Sequence, residues 1–248
     1  MMVEMLKKIL IITIPVIIIA SLGWSLRYET EFFVIKDVPV EIEYELDQEI
    51  VLKLIKPFVE PKTKALKGIN IWKANLGDLR DNIISNEWIK NVTVQRKLPN
   101  KIFMKIDLQD IVLLYSDNKN RIYPITQSGK VLSVIDRTLV PEAPITRNKK
   151  ILESESDRKQ LIELLNEVPN IQSLNKDNIA EVDLLPVTGL TLELINEQAT
   201  VHLGLKNIST KGLQVLRVTD YLKSQKQKAR VIDASFSKKV LVRLRKRS

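Results

Sequence analysis

Few residues in this chain could do covalent or metal chemistry. The 248 residues include no cysteine and one histidine, His202. Without cysteine there is no disulfide, no thiolate zinc or iron–sulfur site, no cysteine nucleophile and no lipidated N-terminal cysteine. One histidine cannot build a multi-histidine metal site and leaves a serine–histidine triad a single candidate base. His202 lies in the run Val201-His202-Leu203, where a satisfied strand histidine is expected rather than a ligand. Asp107 and Asp110 are close in sequence, but nothing in the pattern places them in a cleft as an acid–base pair. The seven glycines form neither GxGxxG nor GxxxxGK[ST], so no phosphate-cradling loop is present. No cofactor, metal or small-molecule substrate is expected.

Charge narrows the choice further. Ten Lys or Arg against one Asp between Lys223 and Ser248 account for the whole net charge of +9. The remainder is neutral, which disfavours a general nucleic-acid binder. Arg243, Arg245, Lys246 and Arg247 form a basic tail. It reads equally as solvated or as meeting acidic partner groups or anionic headgroups. Arg96, Lys97 and Lys101 gather at a predicted hairpin tip; a solvated tip is the preferred reading, and contact with lipid headgroups or a partner is the alternative. Trp72 and Trp88 read as core anchors.

Those residues need elements to position them. Ile9 to Leu26 is an uncharged run of 18 residues. As a helix it spans about 27 Å, close to a hydrocarbon core of roughly 30 Å. Membrane helices tolerate Pro15, and Trp24 and Tyr28 suit the interface. Lys7 and Lys8 before the run, against Arg27 after it, favour a cytoplasmic N-terminus. A cleaved signal peptide is the competing reading, with small residues at Ser21-Leu22-Gly23, but the run exceeds a usual apolar region of about 7–15 residues. The expected division is 1–8 cytoplasmic, 9–28 transmembrane helix, 32–108 a first domain and 109–248 a second with the basic tail.

From Phe32 the pattern predicts an extended strand. A helix follows over Gln48 to Val59, ending near Pro57. Gly68 to Trp72 reads as a short strand, and Asn75 as the cap of a helix with Leu76, Leu79, Ile83 and Ile84 on its apolar face. A hairpin comes next. Val92 and Val94 alternate on one arm, Leu98 to Lys101 turn, and Ile102, Met104, Ile106 and Leu108 alternate on the return.

Beyond Ile111, short strands dominate. They are expected at Ile111–Tyr115, Tyr123–Ile125, Gly129–Leu132, Ile179–Leu184, Leu190–Ile195, Ala199–Leu203, Arg230–Phe236 and Lys239–Leu244. Helices are expected at Asp157–Val168 and Thr210–Gln225, with a loop around Pro141 and Pro144. The fold class is α+β: strand–helix–helix–strand–strand, then a mainly antiparallel β-domain with helices on one face.

The closing strand is the candidate interaction site. Val240, Val242 and Leu244 share one face, and Leu241, Arg243 and Arg245 the other. A final strand is often an edge, whose unpaired backbone groups accept an added strand. An edge protected by its Lys and Arg side chains is the alternative.

Several stretches together resemble a known family. They are Phe33-Val34-Ile35-Lys36-Asp37-Val38, Gly68-Ile69-Asn70-Ile71-Trp72, Glu87-Trp88-Ile89-Lys90-Asn91-Val92 and Val94 to Asn100. Later come Val201-His202-Leu203-Gly204, Lys211 with Leu213, and Ile232-Asp233 before the last hairpin. The first group resembles a POTRA domain, and the whole resembles the bacterial cell-division family FtsQ/DivIB. Family members often have Leu, Arg and an aromatic after the Asp; here Ala234 and Ser235 take the first two places and Phe236 keeps the aromatic. The resemblance implies a non-enzymatic scaffold of the divisome in the inner membrane at the septum, its bulk periplasmic, helping control septal peptidoglycan synthesis. It implies FtsB-like and FtsL-like partners, held through Phe236, Lys239, Val240, Leu241, Val242, Arg243 and Leu244. A membrane-anchored periplasmic cell-wall enzyme and an outer-membrane biogenesis or secretion accessory are the competing functions.

Overall fold

The structure, a computed structural model, describes residues 13–17, 21, 31–43 and 50–245. The described residues divide into two compact units, one chiefly from 31–43 and 51–108, the other chiefly from 109–245. Of the predicted membrane segment, residues 13–17 form a helical turn. The rest of that segment apart from Ser21, and the 1–8 segment, lie outside the described residues. No helix among the described residues is long and apolar enough to cross a membrane.

The first unit is a three-stranded sheet with two helices. Strand β1 is Val40–Glu43, β2 is Ile89–Lys97 and β3 is Lys101–Leu108. β3 lies in the middle, parallel to β1 and antiparallel to β2, with Val92 opposite Ile106 and Val94 opposite Met104. Strict alternation explains the central place of β3. Ile102, Met104, Ile106 and Leu108 are buried. On the opposite face Lys105 pairs with Glu43 at 2.6 Å.

Helix α1, Lys56–Lys64, follows a π-helical stretch at Val51–Ile55. The helix expected to stop near Pro57 therefore continues. Pro57 falls in the first turn, where a missing N–H costs nothing, and the wide turn before it absorbs the ring. Helix α2, Leu76–Ile84, begins as the sequence predicts: the Asn75 side chain accepts from the N–H groups of Gly77 and Asp78. Leu79 and Ile83 bury its apolar face, and Trp88 is buried beside the start of β2.

The strand expected from Phe32 is not continuous. Glu31–Phe33 is a single 3-10 turn and Val34 makes one bridge, to Asn70. The backbone of 33–36 is spent on loops instead: Ile71 N–H donates to Phe33, Ile35 N–H to Ile69, and Lys36 N–H to Asn100.

The second unit is an eight-stranded sheet carrying helices. Its strands are β4 Ile111–Ser116, β5 Ile122–Thr126, β6 Ile145–Thr146, β7 Ile179–Leu185, β8 Gly189–Leu194, β9 Ala199–Gly204, β10 Ala229–Asp233 and β11 Leu241–Leu244. The spatial order is β11-β10-β9-β8-β7-β6-β4-β5. Four neighbouring pairs are antiparallel, but β9/β10, β6/β7 and β4/β6 are parallel, so the sheet is more mixed than expected. The two-residue β6 falls where a loop was expected, and Gly129–Leu132 contributes only a bridge from Val131 to Ile125. Neither has the length that makes a strand legible as a periodic run.

Helices α3, Lys149–Glu153, α4, Glu155–Asn166, and α5, Ile208–Ser224, complete the unit. α4 packs on β7 and β8, and α5 on β9 and β10. Leu161, Leu165, Leu192, Val201, Val215 and Ile232 belong to one buried cluster. β8 and β9 approach closely at Gly189 and Gly204. A Cβ on Gly189 would lie 2.3 Å from the Gly204 carbonyl carbon, and its φ is +65°; only glycine fits there.

Candidate functional site

The last 17 described residues form the candidate site, and each part has a local cause. β10 ends at Asp233, whose carboxylate accepts from the Ser235 N–H at 2.9 Å and the Ser235 hydroxyl at 2.6 Å. This side-chain turn competes with further strand pairing and bends the chain away. The buried Lys211, in the first turn of α5, donates to the carbonyls of Leu203 at 3.0 Å and Ser235 at 2.8 Å. It ties the end of β9 to the connector that leads into β11. Burial pulls the Lys211 pKa below the ordinary lysine value, and Asp233 acts in the opposite direction.

The connector then exposes Phe236, with the Lys239 ammonium 5.2 Å from its ring centroid. Val240 is half-buried and packs on the core. From there β11 runs antiparallel to β10: Leu241 lies opposite Asp233, Val242 opposite Ile232, Arg243 opposite Val231 and Leu244 opposite Ala229. Arg230 is the extra residue of a bulge between Ala229 and Val231. The strand ends in a clamp. The Arg245 N–H donates to the Lys228 carbonyl at 2.8 Å, and the Arg245 guanidinium donates to the Gln198 side chain and carbonyl, both at 2.7 Å.

That one inward bond fixes the parity of the strand. Backbone groups of alternate residues point to opposite sides of a strand. With Arg245 directed at β10, Leu241 and Arg243 also pair inward. Val240, Val242 and Leu244 direct their N–H and C=O groups outward. β11 is the end strand of the sheet, so this outward row faces no other strand among the described residues. Side chains do little to shield it. Leu241, Val242 and Leu244 are 46%, 37% and 46% exposed, and Arg243 is the only charge within β11. Natural edges are usually blunted by charge, proline or brevity; here only brevity and one arginine serve. Val242, opposite the buried Ile232, lies on the face that α5 covers further along the sheet.

The structure thus brings Phe236 and Lys239 to Leu244 together on one connector and edge strand. Arg96 departs from its expected solvated state, and Arg245, left open between solvation and contact with acidic groups or headgroups, takes a third arrangement. Arg96 is a clamp inside the first unit, donating to the carbonyls of Ile71 and Ala74, each at 2.8 Å. Arg245 is held by Gln198. Both bonds span chain separations that local pattern cannot anticipate. Lys246 and Arg247 lie outside the described residues.

The other chemical candidates have structural partners. His202 Nδ1 lies 3.0 Å from the Thr191 hydroxyl. Asp107 accepts from the Asn91 amide at 3.1 Å. Among the described residues no group of three or more His, Asp or Glu is placed to hold a metal ion. Sequence reasoning gave Lys211 no positional role; its only signal was its place in the family-like stretch opening the last helix.

Comparison with known proteins gives two family matches. A family described as "POTRA domain, FtsQ-type" matches residues 59–108, and one described as "Cell division protein FtsQ/DivIB, C-terminal" matches residues 114–235. β11 lies beyond the second match. The chain is 30% identical over 101 residues to a cell division protein FtsQ of Rickettsia bellii, covering 41% of this chain and 34% of that protein. It is 30% identical over 143 residues to a cell division protein DivIB of Clostridium acetobutylicum, covering 54% and 56%. A cell division protein FtsQ of Geotalea daltonii is 24% identical over 184 residues, covering 71% and 66%. The matched stretch spans about a third of the length of the Rickettsia relative.

Proposed function

We propose, from the premise that the chain belongs to the FtsQ/DivIB family of cell-division proteins, that it is a non-enzymatic divisome scaffold. In this reading residues 9–28 anchor it in the inner membrane with 1–8 cytoplasmic. A POTRA domain at 32–108 and a β-domain at 109–248 stand outside, at the division septum. The β-domain binds FtsB-like and FtsL-like partners and so helps control septal peptidoglycan synthesis.

The observation that carries the reading is the outward backbone row of β11. An extended partner segment adds to such an edge through main-chain hydrogen bonds, and side-chain contacts at alternate positions supply specificity. Phe236 and the exposed Leu241, Val242 and Leu244 offer those contacts, and Arg243 favours an acidic neighbour. Membrane anchoring raises the effective concentration of partners held in the same bilayer. The site needs no titratable cleft, because its work is geometric.

The test is affinity isolation of the full chain from detergent-solubilised membranes. Recovery of small single-span coiled-coil proteins of the FtsB and FtsL kind is the expected result. Release of soluble fragments from peptidoglycan by the purified protein would overturn the non-enzymatic reading. Uniform envelope fluorescence of a tagged chain through the cell cycle, without a midcell band at constriction, would overturn the septal one.

A further inference from the structure

We infer that one end of the first unit is a lipid-facing surface that rests on anionic headgroups of the bilayer holding the chain. The inference rests on the anchored reading of Ile9 to Leu26. Three segments build this end: residues 31–36, residues 67–74 and the β2–β3 hairpin tip at 97–101. Backbone bonds hold them together, from Ile71 N–H to Phe33 at 2.8 Å, Gly68 N–H to Ile35 at 3.0 Å and Lys36 N–H to Asn100 at 3.0 Å. The Arg96 clamp to Ile71 and Ala74 fixes the tip against the middle segment.

Each segment exposes a large apolar side chain. Phe32 is 63% exposed, Leu98 56% and Ile69 38%. Phe32 packs edge-on against Phe33 with centroids 5.2 Å apart, and Phe33 lies 6.1 Å from Trp72. Such a cluster is costly in water and is the composition that settles at a membrane interface.

The same segments carry exposed Lys36, Lys67, Lys73, Lys97 and Lys101, against the exposed acid Glu31 and the adjoining exposed Asp37. Lysines around exposed aromatics complement an anionic lipid surface, which combines charge with an accessible apolar layer. Position agrees with composition. Six steps of chain separate Leu26 from Phe32, at most about 22 Å. This end of the unit therefore cannot stray far from the end of the anchor. β2 has nine residues and runs away from the tip for about 30 Å. It places Ser85, just beyond α2, toward the opposite end.

The absence of cysteine makes the test direct. Single-cysteine variants Leu98→Cys and Ser85→Cys of the full chain are spin-labelled and reconstituted in nanodiscs of phosphatidylcholine, with or without phosphatidylglycerol. In phosphatidylglycerol discs the label at 98 should lose access to an aqueous nickel chelate and gain access to oxygen, each several-fold. The label at 85 should not change. High salt, or the triple variant Lys36→Gln, Lys73→Gln, Lys97→Gln, should reverse the effect at 98. Equal aqueous access at 98 and 85 in phosphatidylglycerol discs would overturn the lipid face. Protection at 98 that persists in phosphatidylcholine at high salt would overturn the anionic assignment. A chain that never enters the discs would instead overturn the anchor.

Discussion

Replacing Lys211 with methionine probes how the edge strand is held. Met retains the length of the side chain but donates to neither the Leu203 nor the Ser235 carbonyl, which Lys211 reaches at 3.0 and 2.8 Å. A buried carbonyl left without its donor costs about 1–3 kcal/mol. Ser235 is half-buried, so water can replace that donor, and the variant also escapes the cost of burying an ammonium. The unpaired Leu203 carbonyl sets the scale and the escaped ammonium cost lowers it, so the net loss at pH 7 is about 1–2 kcal/mol, or roughly 2–8 °C in the melting temperature of a unit this size. The pH dependence has a definite sign. Burial lowers the Lys211 pKa in the folded chain, so between that value and about 10.4 the unfolded chain holds more protons. Wild-type stability then rises with pH across this window. The methionine variant lacks the term, and the gap between the two should widen from pH 7 toward pH 10. Calorimetry of both proteins in the same detergent reads the gap. A variant melting within about 1 °C of wild type, or a gap that narrows as pH rises, would refute the assigned role.

Other substitutions separate the remaining roles. Met104→Ala, at a fully buried position in β3, should cost the first unit about 2–5 kcal/mol, whereas the half-buried Thr93→Ala should cost under about 0.5 kcal/mol; equal shifts in chemical denaturation would mean the register is wrong. Arg245→Gln loses the Gln198 clamp and should destabilise β11 by up to about 1 kcal/mol, seen as faster exchange of the inward-paired amides of Leu241 and Arg243. Arg243→Gln should leave exchange unchanged and slow partner association mainly at low salt, as read by surface plasmon resonance. Arginines at Ile17 and Ile18 add about 2.5–3.5 kcal/mol each to insertion; the chain should leave the membrane fraction, and unchanged fractionation would contradict the anchor.

What could be read from the sequence was local and periodic. β3 shows its central place because Ile102, Met104, Ile106 and Leu108 alternate without interruption. Asn75 announces α2 because an N-cap acts within three residues. Pro57 misleads because it falls in the first turn of α1, after a π-helical stretch, rather than at the end of a helix. The clamps made by Arg96 and Arg245 are not legible in the sequence because their acceptors lie at Ile71, Ala74 and Gln198, 22 to 47 residues away. β6 is invisible because two residues carry no period. Alternation splits the last strand into two faces, yet it cannot say which backbone groups point outward. That needs the register with β10 and the bond from Arg245 to Lys228.

The central proposal is that a partner strand pairs with the outward groups of β11, and N-methylation of single amides tests it most directly. The C-terminal segment can be supplied by ligation at position 234 and desulfurised to Ala234, selectively because the chain has no cysteine. The N-methyl group is placed at Val242 in one protein and at Arg243 in another. Binding of the extracytoplasmic segment of the FtsB-like protein is then measured by calorimetry, alongside each protein's melting temperature. Methylation at Val242 should weaken binding at least about tenfold, or roughly 1.4 kcal/mol, with the melting temperature held. Methylation at Arg243 should lower the melting temperature by breaking a bond to β10. Wild-type affinity in the folded Val242 protein would contradict strand addition at this edge.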